Sequence, residues 1–154
     1  RIKKDFGPNL QKIDLKILND IKKEEFLKRL NPVYETIKEI KKKLSESNKD
    51  TIGFVGAPWT LLLYMLNKKS PKKGNFNIFP KDKFTSNILL KLDEFLKIHI
   101  EAQIKNGASI IQIFDSWAGL LPEKDLEYFV YQPIKSLVDF IKQKKKSQYV
   151  FLET

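Results

Sequence analysis

Two short segments of the sequence combine the residue types that bind charged ligands. One is residues 56–60 (GAPWT) and the other is residues 115–119 (DSWAG), and each follows an apolar stretch. Both contain small residues, which let a backbone approach closely, together with a polar side chain and a tryptophan. Where a strand leads into a helix, free backbone N–H groups point outward and attract anions. The two segments therefore predict a site for a negatively charged ligand.

Each segment lies at the end of a predicted strand. Residues 51–55 (TIGFV) and 109–114 (SIIQIF) predict two strands, and residues 148–152 (QYVFL) predict a third. Strands that are separated by helices form parallel sheets through right-handed crossovers. Because the carboxyl ends of parallel strands form the functional edge of such folds, the two segments are expected at that edge.

The helices are predicted from apolar spacing and from residues that begin or end a helix. Asn31 and Pro32 are expected to begin one helix, and Pro58 another, whereas Pro133 is expected to interrupt or split the last. The predicted helices are a short one at Leu15, Leu18 and Ile21, one with Val33, Ile37, Ile40 and Leu44 on its apolar face, one through WTLLLYML, one over residues 84–106 with Ile88, Leu92, Phe95, Ile98 and Ala102 on one side, and one from Pro122 or Glu123 to about Lys146. Residues 67–79 predict an exposed loop.

The composition is that of a folded domain with a strongly basic surface. Apolar residues make up 42% of the 154 residues, and the formal net charge is +10 at pH 7. All but two of the 29 basic residues are lysines, whereas proteins that bind nucleic acid favour the bidentate guanidinium of arginine. Lysine-rich stretches such as KEIKKKL also contain glutamate, so we interpret them as solvated helix faces. No nucleic-acid partner is expected, and the positive field favours an anionic substrate.

Several classes of site and location are excluded by residues that the sequence lacks. It contains no cysteine, so it has neither disulfides nor thiolate metal sites, and no apolar run is long enough to span a membrane. The cytoplasm is the expected location, with no membrane partner. The G-x-G-x-x-G and Walker patterns of nucleotide-binding loops are absent. His99 is the only histidine, and one imidazole alone forms neither a triad nor a metal site, so it is not expected to be catalytic.

The two segments and their surroundings resemble one enzyme family. GFVGAPWTLLLYM (residues 53–65) matches the run G-F-x-G-[AS]-P-W-T-L-x-x-Y-M of the uroporphyrinogen decarboxylase family of the haem pathway. Further along, AQIKNGASIIQIFDSWAG (residues 102–119) matches the strand end G-A-x-x-[VIL]-x-[IL]-F-[DE]-[ST] of the same family. The resemblance extends over essentially the whole chain, which corresponds only to the middle of the family's sequence.

The resemblance implies an α/β fold that is a partial (β/α)8 TIM barrel of about three consecutive parallel β/α units. Residues 1–154 would form a single domain, the central part of a uroporphyrinogen decarboxylase barrel without its N- and C-terminal portions. The implied activity is that of a carboxy-lyase, which converts the four acetate side chains of uroporphyrinogen III to methyl groups and gives coproporphyrinogen III. The family uses no metal and no organic cofactor. A homodimer is expected for the full-length protein, and the fragment alone is expected to be inactive.

The resemblance also assigns roles to individual residues. Tyr64 is similar to the tyrosine whose hydroxyl faces the substrate, and Ser116 to the serine or threonine that hydrogen-bonds a substrate carboxylate. Asp115 and Trp59 are candidates for lining the site. Taken alone, Tyr64 is more typical of a core position, and Ser116 and Asp115 suit a turn cap. No catalytic residue and no metal ligand is expected in this chain, because the family's pyrrole-binding aspartate, N-terminal arginines and C-terminal histidine match no residue here.

Two alternatives stay open at this point. A cobalamin-dependent methyltransferase shares the barrel, but such enzymes hold zinc with histidine and cysteine ligands, and this chain has no cysteine. A basic nucleic-acid-binding module is the alternative of another class. Binding to DNA that weakens with salt and does not depend on sequence would support that second alternative.

Overall fold

The structure, a computed structural model, describes residues 13–67 and 79–144 in full, together with the backbone of residues 2–3, 7–8 and 149–153. An antiparallel pair joins β1 (Ile2–Lys3) to β2 (Gly7–Pro8). A parallel sheet of three strands has the order β3-β4-β5, with β3 at Ile52–Gly56, β4 at Ile110–Phe114 and β5 at Tyr149–Glu153. The predicted α/β class with a parallel sheet is confirmed, and each of its strands begins one residue later than predicted.

Helices precede the parallel sheet and connect its strands. Before β3 lie α1 (Leu15–Asp20) and α2 (Lys23–Lys43), and between β3 and β4 lie α3 (Pro58–Asn67) and α4 (Lys83–Lys105). Between β4 and β5 lie a short 3-10 helix at Ala118–Leu120, α5 (Glu123–Leu126), a π-helical stretch at Glu127–Tyr131 and α6 (Gln132–Lys144). Pro58 begins α3 as predicted. Asp82 caps α4, because its carboxylate accepts the backbone N–H of Thr85 at 2.8 Å. The loop predicted over residues 67–79 lies mostly outside the described residues.

Side chains alternate between the two faces of the parallel sheet, and the helices cover one of them. Val55, Ile111 and Ile113 point toward the helices and are buried. On the opposite face Ile52 is exposed, and Phe54 has 65% of its surface exposed. The core between sheet and helices contains Trp59, Leu62, Leu63, Ile88, Ile100, Phe129, Leu137 and Ile141. Burial of these apolar side chains stabilises the helical side of the sheet, and the other face stays available for contacts.

The prediction that Asn31 and Pro32 begin a helix is wrong, because both lie inside α2. An internal proline removes one backbone hydrogen bond and crowds the preceding turn, which disfavours a helix. Here tertiary packing outweighs that cost, since Tyr34 and Ile37, two and five residues further on, are buried and α2 packs against α4. Val33 and Ile40, also predicted for the apolar face, are exposed. The predicted apolar face of α2 is therefore correct at Ile37, and Leu44, which ends the helix as its C-cap, is half-buried.

Pro133 changes the hydrogen bonding of its helix without breaking it. The π-helical stretch Glu127–Tyr131 lies just before the proline, and the backbone N–H of Gln132 donates to Glu127 O, five residues back. An extra residue in one turn is a common way to accommodate a local constraint in a helix. At the predicted interruption the backbone hydrogen bonds shift from four residues back to five, and the helix does not break. From Gln132 on, α6 is a regular helix.

The face of α4 that packs into the core is broader than predicted. Ile88 and Phe95 are buried as predicted, but Ile98 and Ala102 are only half-buried. The helix also buries Leu89, Leu96, Ile100, Gln103 and Ile104. The physical reason is that α2, α3, α6 and β3 all contact α4, so a wide arc of its surface is enclosed.

Gly107 follows α4 in a backbone conformation that favours glycine. Its φ is +115°, and a Cβ there would lie 2.8 Å from Cβ and Cγ of Lys41. We expect Gly107→Ala to lower the free energy of unfolding by roughly 1–3 kcal/mol, because a side chain strains this conformation. Gly119→Ala is the matched control, since a Cβ at Gly119 meets nothing within 4 Å. Urea unfolding of both variants tests this, and equal midpoints would contradict it.

Candidate functional site

The carboxyl ends of β3 and β4 lie side by side, because the two strands pair in parallel with Gly56 opposite Phe114. The pairing continues past β3, where the backbone N–H of Ala57 donates to Phe114 O at 2.7 Å. The segments that follow β3 and β4 therefore leave the sheet at the same edge. These are the two segments in which the sequence placed the candidate site residues.

A buried hydrogen bond joins the two segments. The hydroxyl of Thr60, in the first turn of α3, donates to Oδ1 of Asp115, just past β4, at 2.7 Å. Thr60 is 6% exposed and Asp115 is 2% exposed. Oδ2 of Asp115 is buried with no hydrogen-bond partner among the described residues. Asp115 is thus anchored in the interior through one oxygen, and its predicted roles as a turn cap or a site-lining residue stay predictions.

Trp59 adds a second bond between the segments. Its indole Nε1 donates to the backbone carbonyl of Trp117 at 2.9 Å, and its side chain is fully buried. The ring packs against Phe129, with ring centroids 5.1 Å apart. Phe129 belongs to the π-helical stretch before Pro133. Trp59 therefore holds the turn after β4 through a hydrogen bond from the buried core. Its predicted role in lining a ligand site stays a prediction.

Burial raises the pKa of the Asp115 carboxyl above its ordinary value. The hydroxyl of Thr60 and the backbone N–H of Trp117 oppose that rise by hydrogen bonding, but the loss of hydration is the larger effect. The carboxyl consequently gains protons more readily in the folded protein than in water.

Ser116 lies on the second of the two joined segments, and Tyr64 lies on α3, which continues from the first. Ser116 is exposed in the turn after β4, directly beside the anchored Asp115. Tyr64 is half-buried on α3, and its ring meets that of Trp117 edge-on with centroids 6.5 Å apart. The structure thus brings Tyr64 beside the turn that contains Ser116. Their predicted contact with a substrate stays a prediction.

Two aromatic residues near the site were missed by the sequence reasoning. Phe54 and Phe114 lie on the uncovered face of the sheet, with ring centroids 6.0 Å apart and an interplanar angle of 81°. In the sequence both strands were interpreted as continuous apolar runs, so the alternation of side chains between the two sheet faces was not considered. Successive residues of a strand point to opposite faces, so Phe54 next to Val55 and Phe114 next to Ile113 would have been identified as residues of the face opposite the helices.

His99 belongs to a separate contact between α2 and α4. Its Nδ1 lies 3.0 Å from the hydroxyl of Tyr34, and its ring is edge-on to Phe26. Burial lowers the pKa of His99, which keeps the imidazole neutral in this contact. Within residues 13–67 and 79–144, no cluster of three or more His, Asp or Glu side chains is arranged to hold a metal ion. No described helix has the length and hydropathy needed to cross a membrane.

Comparison with known proteins identifies one family. The family model described as "Uroporphyrinogen decarboxylase (URO-D)" matches residues 1–153. A uroporphyrinogen decarboxylase of Rickettsia bellii is 39% identical over 149 residues, which are 91% of this chain and 42% of that protein. One of Campylobacter fetus is 42% identical over 135 residues, covering 86% of this chain and 38% of that protein. The chain thus spans about two fifths of the length of these curated relatives.

The bond between Thr60 and Asp115 is expected to contribute to stability. Thr60→Val removes the hydroxyl at nearly constant volume, so Asp115 loses its side-chain donor. We expect the free energy of unfolding to fall by about 1–3 kcal/mol, the cost of a buried polar group without a partner. Thr60→Ser keeps the hydroxyl and is the matched control. Urea unfolding curves measure the difference, and a valine variant as stable as the serine variant would argue against the bond.

The raised pKa of Asp115 predicts a pH dependence of stability. A carboxyl whose folded-state pKa lies above its unfolded value stabilises the fold below its ordinary pKa of 3.8, and this contribution is lost as the pH rises through the folded-state pKa. Asp115→Asn keeps an acceptor for Thr60 and removes the titration. We therefore expect the variant to gain stability relative to the parent protein as the pH rises from acid to neutral. Unfolding midpoints across that range test this, and parallel pH profiles would contradict it.

Proposed function

The chain belongs to the uroporphyrinogen decarboxylase family, and from that premise we propose that it is a segment of an enzyme that decarboxylates uroporphyrinogen III. The full-length protein would convert the four acetate side chains to methyl groups, which gives coproporphyrinogen III and carbon dioxide in porphyrin biosynthesis. The family match over residues 1–153 is the observation on which this proposal depends. The joined strand ends with Tyr64 and Ser116 support it.

The proposed architecture is a partial (β/α)8 barrel of about three parallel β/α units, with residues 1–154 as its central part. Three observations support this. The strands β3, β4 and β5 pair in parallel in the order in which they follow in the chain. Helices connect them and cover one face. The other face presents Ile52 and Phe54, the apolar side chains that the interior of a barrel would contain.

The substrate has eight carboxylates around a macrocycle of four pyrrole rings, so its binding needs polar and apolar contacts together. We assign the hydroxyl of Ser116 to one carboxylate and the hydroxyl of Tyr64 to a second polar contact at the mouth of the barrel. Phe54 and Phe114 form an apolar surface on the adjoining sheet face, suited to the flat sides of pyrrole rings. The net charge of +10 attracts such an anion from solution.

In this reaction a protonated pyrrole accepts the electron pair that the leaving carboxylate releases. The protein must therefore hold the substrate, deliver protons and favour the cation over the neutral ring. The part that we assign to this chain is to bind and orient the macrocycle, with Ser116 and Tyr64 exposed or half-buried at the edge of β3 and β4. The groups that bind the pyrrole N–H atoms and deliver protons would come from other segments of the full-length protein. No metal or organic cofactor takes part in this proposal.

The proposal extends to the assembly and location of the full-length protein. By analogy with the family we expect a homodimer in the cytoplasm. The alternative of a cobalamin-dependent methyltransferase is not favoured, because the family match is to the decarboxylase and the chain lacks cysteine for the zinc site.

The nucleic-acid alternative is not favoured by the distribution of the lysines. Many of those described form ion pairs with acidic residues of the same or a neighbouring helix. They include Lys91 with Glu94, Lys97 with Asp93, Lys135 with Asp139, and Lys144 with Glu101. Pairs of this kind partly neutralise the helix surfaces and are typical of solvated helix faces.

Replacement of Ser116 tests the proposed function in the full-length protein. We expect Ser116→Ala to raise KM for uroporphyrinogen III by about ten-fold or more, because a hydrogen bond to a charged group contributes about 1.5–3 kcal/mol. Ser116→Thr keeps the hydroxyl and should retain most of the affinity. The assay measures formation of coproporphyrinogen III. A parent protein that produces none would overturn the proposed function, and an unchanged KM for the alanine variant would overturn the role of Ser116.

A further inference from the structure

The turn after β4 is met by α3 at three points. The hydroxyl of Thr60 donates to Oδ1 of Asp115 at 2.7 Å, and the indole of Trp59 donates to the backbone carbonyl of Trp117 at 2.9 Å. One turn further along α3, the ring of Tyr64 meets the ring of Trp117 edge-on, with centroids 6.5 Å apart. One short helix therefore contacts the turn through a carboxyl, a carbonyl and an aromatic ring.

The carboxyl of Asp115 connects α3 to the backbone around Ser116. The backbone N–H of Trp117 donates to the same carboxyl that accepts the hydroxyl of Thr60. Ser116 is the residue enclosed between Asp115 and Trp117. A side chain that is bonded to the helix on one side and to the turn on the other transmits the position of the helix to the turn. The backbone of Ser116 consequently depends on the bond from Thr60.

These contacts lie within two consecutive β/α units of the fold. The strands β3 and β4 pair directly, and α3 follows β3 without a further element between them. Thr60 is 6% exposed and Asp115 is 2% exposed, and any further segment of the full-length protein can only lower these values. The anchoring of the turn is therefore independent of the surfaces that other segments of the protein cover.

We propose that Thr60 is a positioning residue for Ser116: its bond to Asp115 fixes the turn and so holds the Ser116 hydroxyl at a defined place relative to Tyr64. The inference rests on the proposed function, in which both hydroxyls bind the substrate. Thr60 and Tyr64 are four residues apart on α3 and lie on the same face of that helix. The bond from Thr60 thus connects the placement of one substrate-binding hydroxyl to that of the other. Thr60 itself is buried and contacts no substrate.

The consequence for the reaction is an effect on binding. A hydroxyl that is already in place binds its ligand more tightly, because less freedom is lost on binding. Without the bond from Thr60 the turn is free to shift, and the contact from Ser116 to the substrate carboxylate weakens. Because that contact is made equally in the ground state and the transition state, its weakening raises KM and leaves kcat nearly unaltered.

The test uses the full-length protein with Thr60→Val, and Thr60→Ala is a second variant in case the first folds poorly. We expect KM for uroporphyrinogen III to rise about five-fold, with kcat changed less than about two-fold. Thr60→Ser keeps the hydroxyl and should keep KM within about two-fold of that of the parent protein. Thr51→Val is the matched control, because Thr51 is also 6% exposed but lies just before β3, at the opposite end of that strand. The control should leave both constants near those of the parent protein.

A double-mutant cycle separates positioning from a general loosening of the fold. In a protein that already contains Ser116→Ala, the further change Thr60→Val should raise KM by less than about two-fold, because the hydroxyl that Thr60 positions is absent. A merely structural role would give the same increase in both backgrounds. Additive effects on KM would therefore overturn the inference, as would an unchanged KM in the single Thr60→Val variant.

Hydrogen–deuterium exchange at single-residue resolution provides a measurement that does not depend on activity. The backbone amide of Trp117 should exchange at least about ten-fold faster in Thr60→Val, and that of Ile111, in the middle of β4, should not change. Unchanged exchange at Trp117 would overturn the inference, because the turn would then be held without Thr60. A parent protein without decarboxylase activity would overturn the proposed function and leave the exchange result to decide whether Thr60 holds the turn.

Discussion

The arrangement of the candidate site depends on the buried hydrogen bond between Thr60 and Asp115. A carboxyl group withdrawn from water is costly unless a donor reaches it, so the pair must form when the segments after β3 and β4 pack together. The bond acts with the backbone contact from Ala57 to Phe114 and the indole contact from Trp59 to the backbone of Trp117. The exposed Ser116 follows the anchored Asp115 directly. Its position is therefore fixed by a neighbour that the core holds.

The two faces of the parallel sheet differ in what covers them. Val55 and Ile113 pack under the helices and supply stability, whereas Phe54 and Phe114 remain on the uncovered face. The amide of Gln103 connects the two, because it extends from the helical layer to the backbone of Phe54. A residue of the helical layer thus restrains the backbone of the face that we assign to the ligand.

Local preferences yield to packing at both helix-internal prolines. In α2 the buried Tyr34 and Ile37 keep the helix continuous through Pro32, although a proline at that place disfavours a helix. Before Pro133 the helix takes a π-helical turn, and Phe129 of that turn packs on Trp59. An irregular helix thereby supports the residue that holds the turn after β4. Such π-helical turns are frequent near functional sites in proteins.

The sequence by itself determined the α/β class, the three strands within one residue, the start of α3 at Pro58 and the common edge at which the segments after β3 and β4 leave the sheet. These depend on short-range patterns of apolar residues, glycine and proline, which act within a few residues. Only the tertiary structure decided that Thr60 bonds to Asp115, 55 residues away, and that Gln103 bonds to Phe54, 49 residues away. Spacing along the chain does not specify such partners, because they form only when the parallel register and helix packing bring the groups together. For the same reason the continuity of α2 through Pro32 could not be predicted, because it depends on packing against α4.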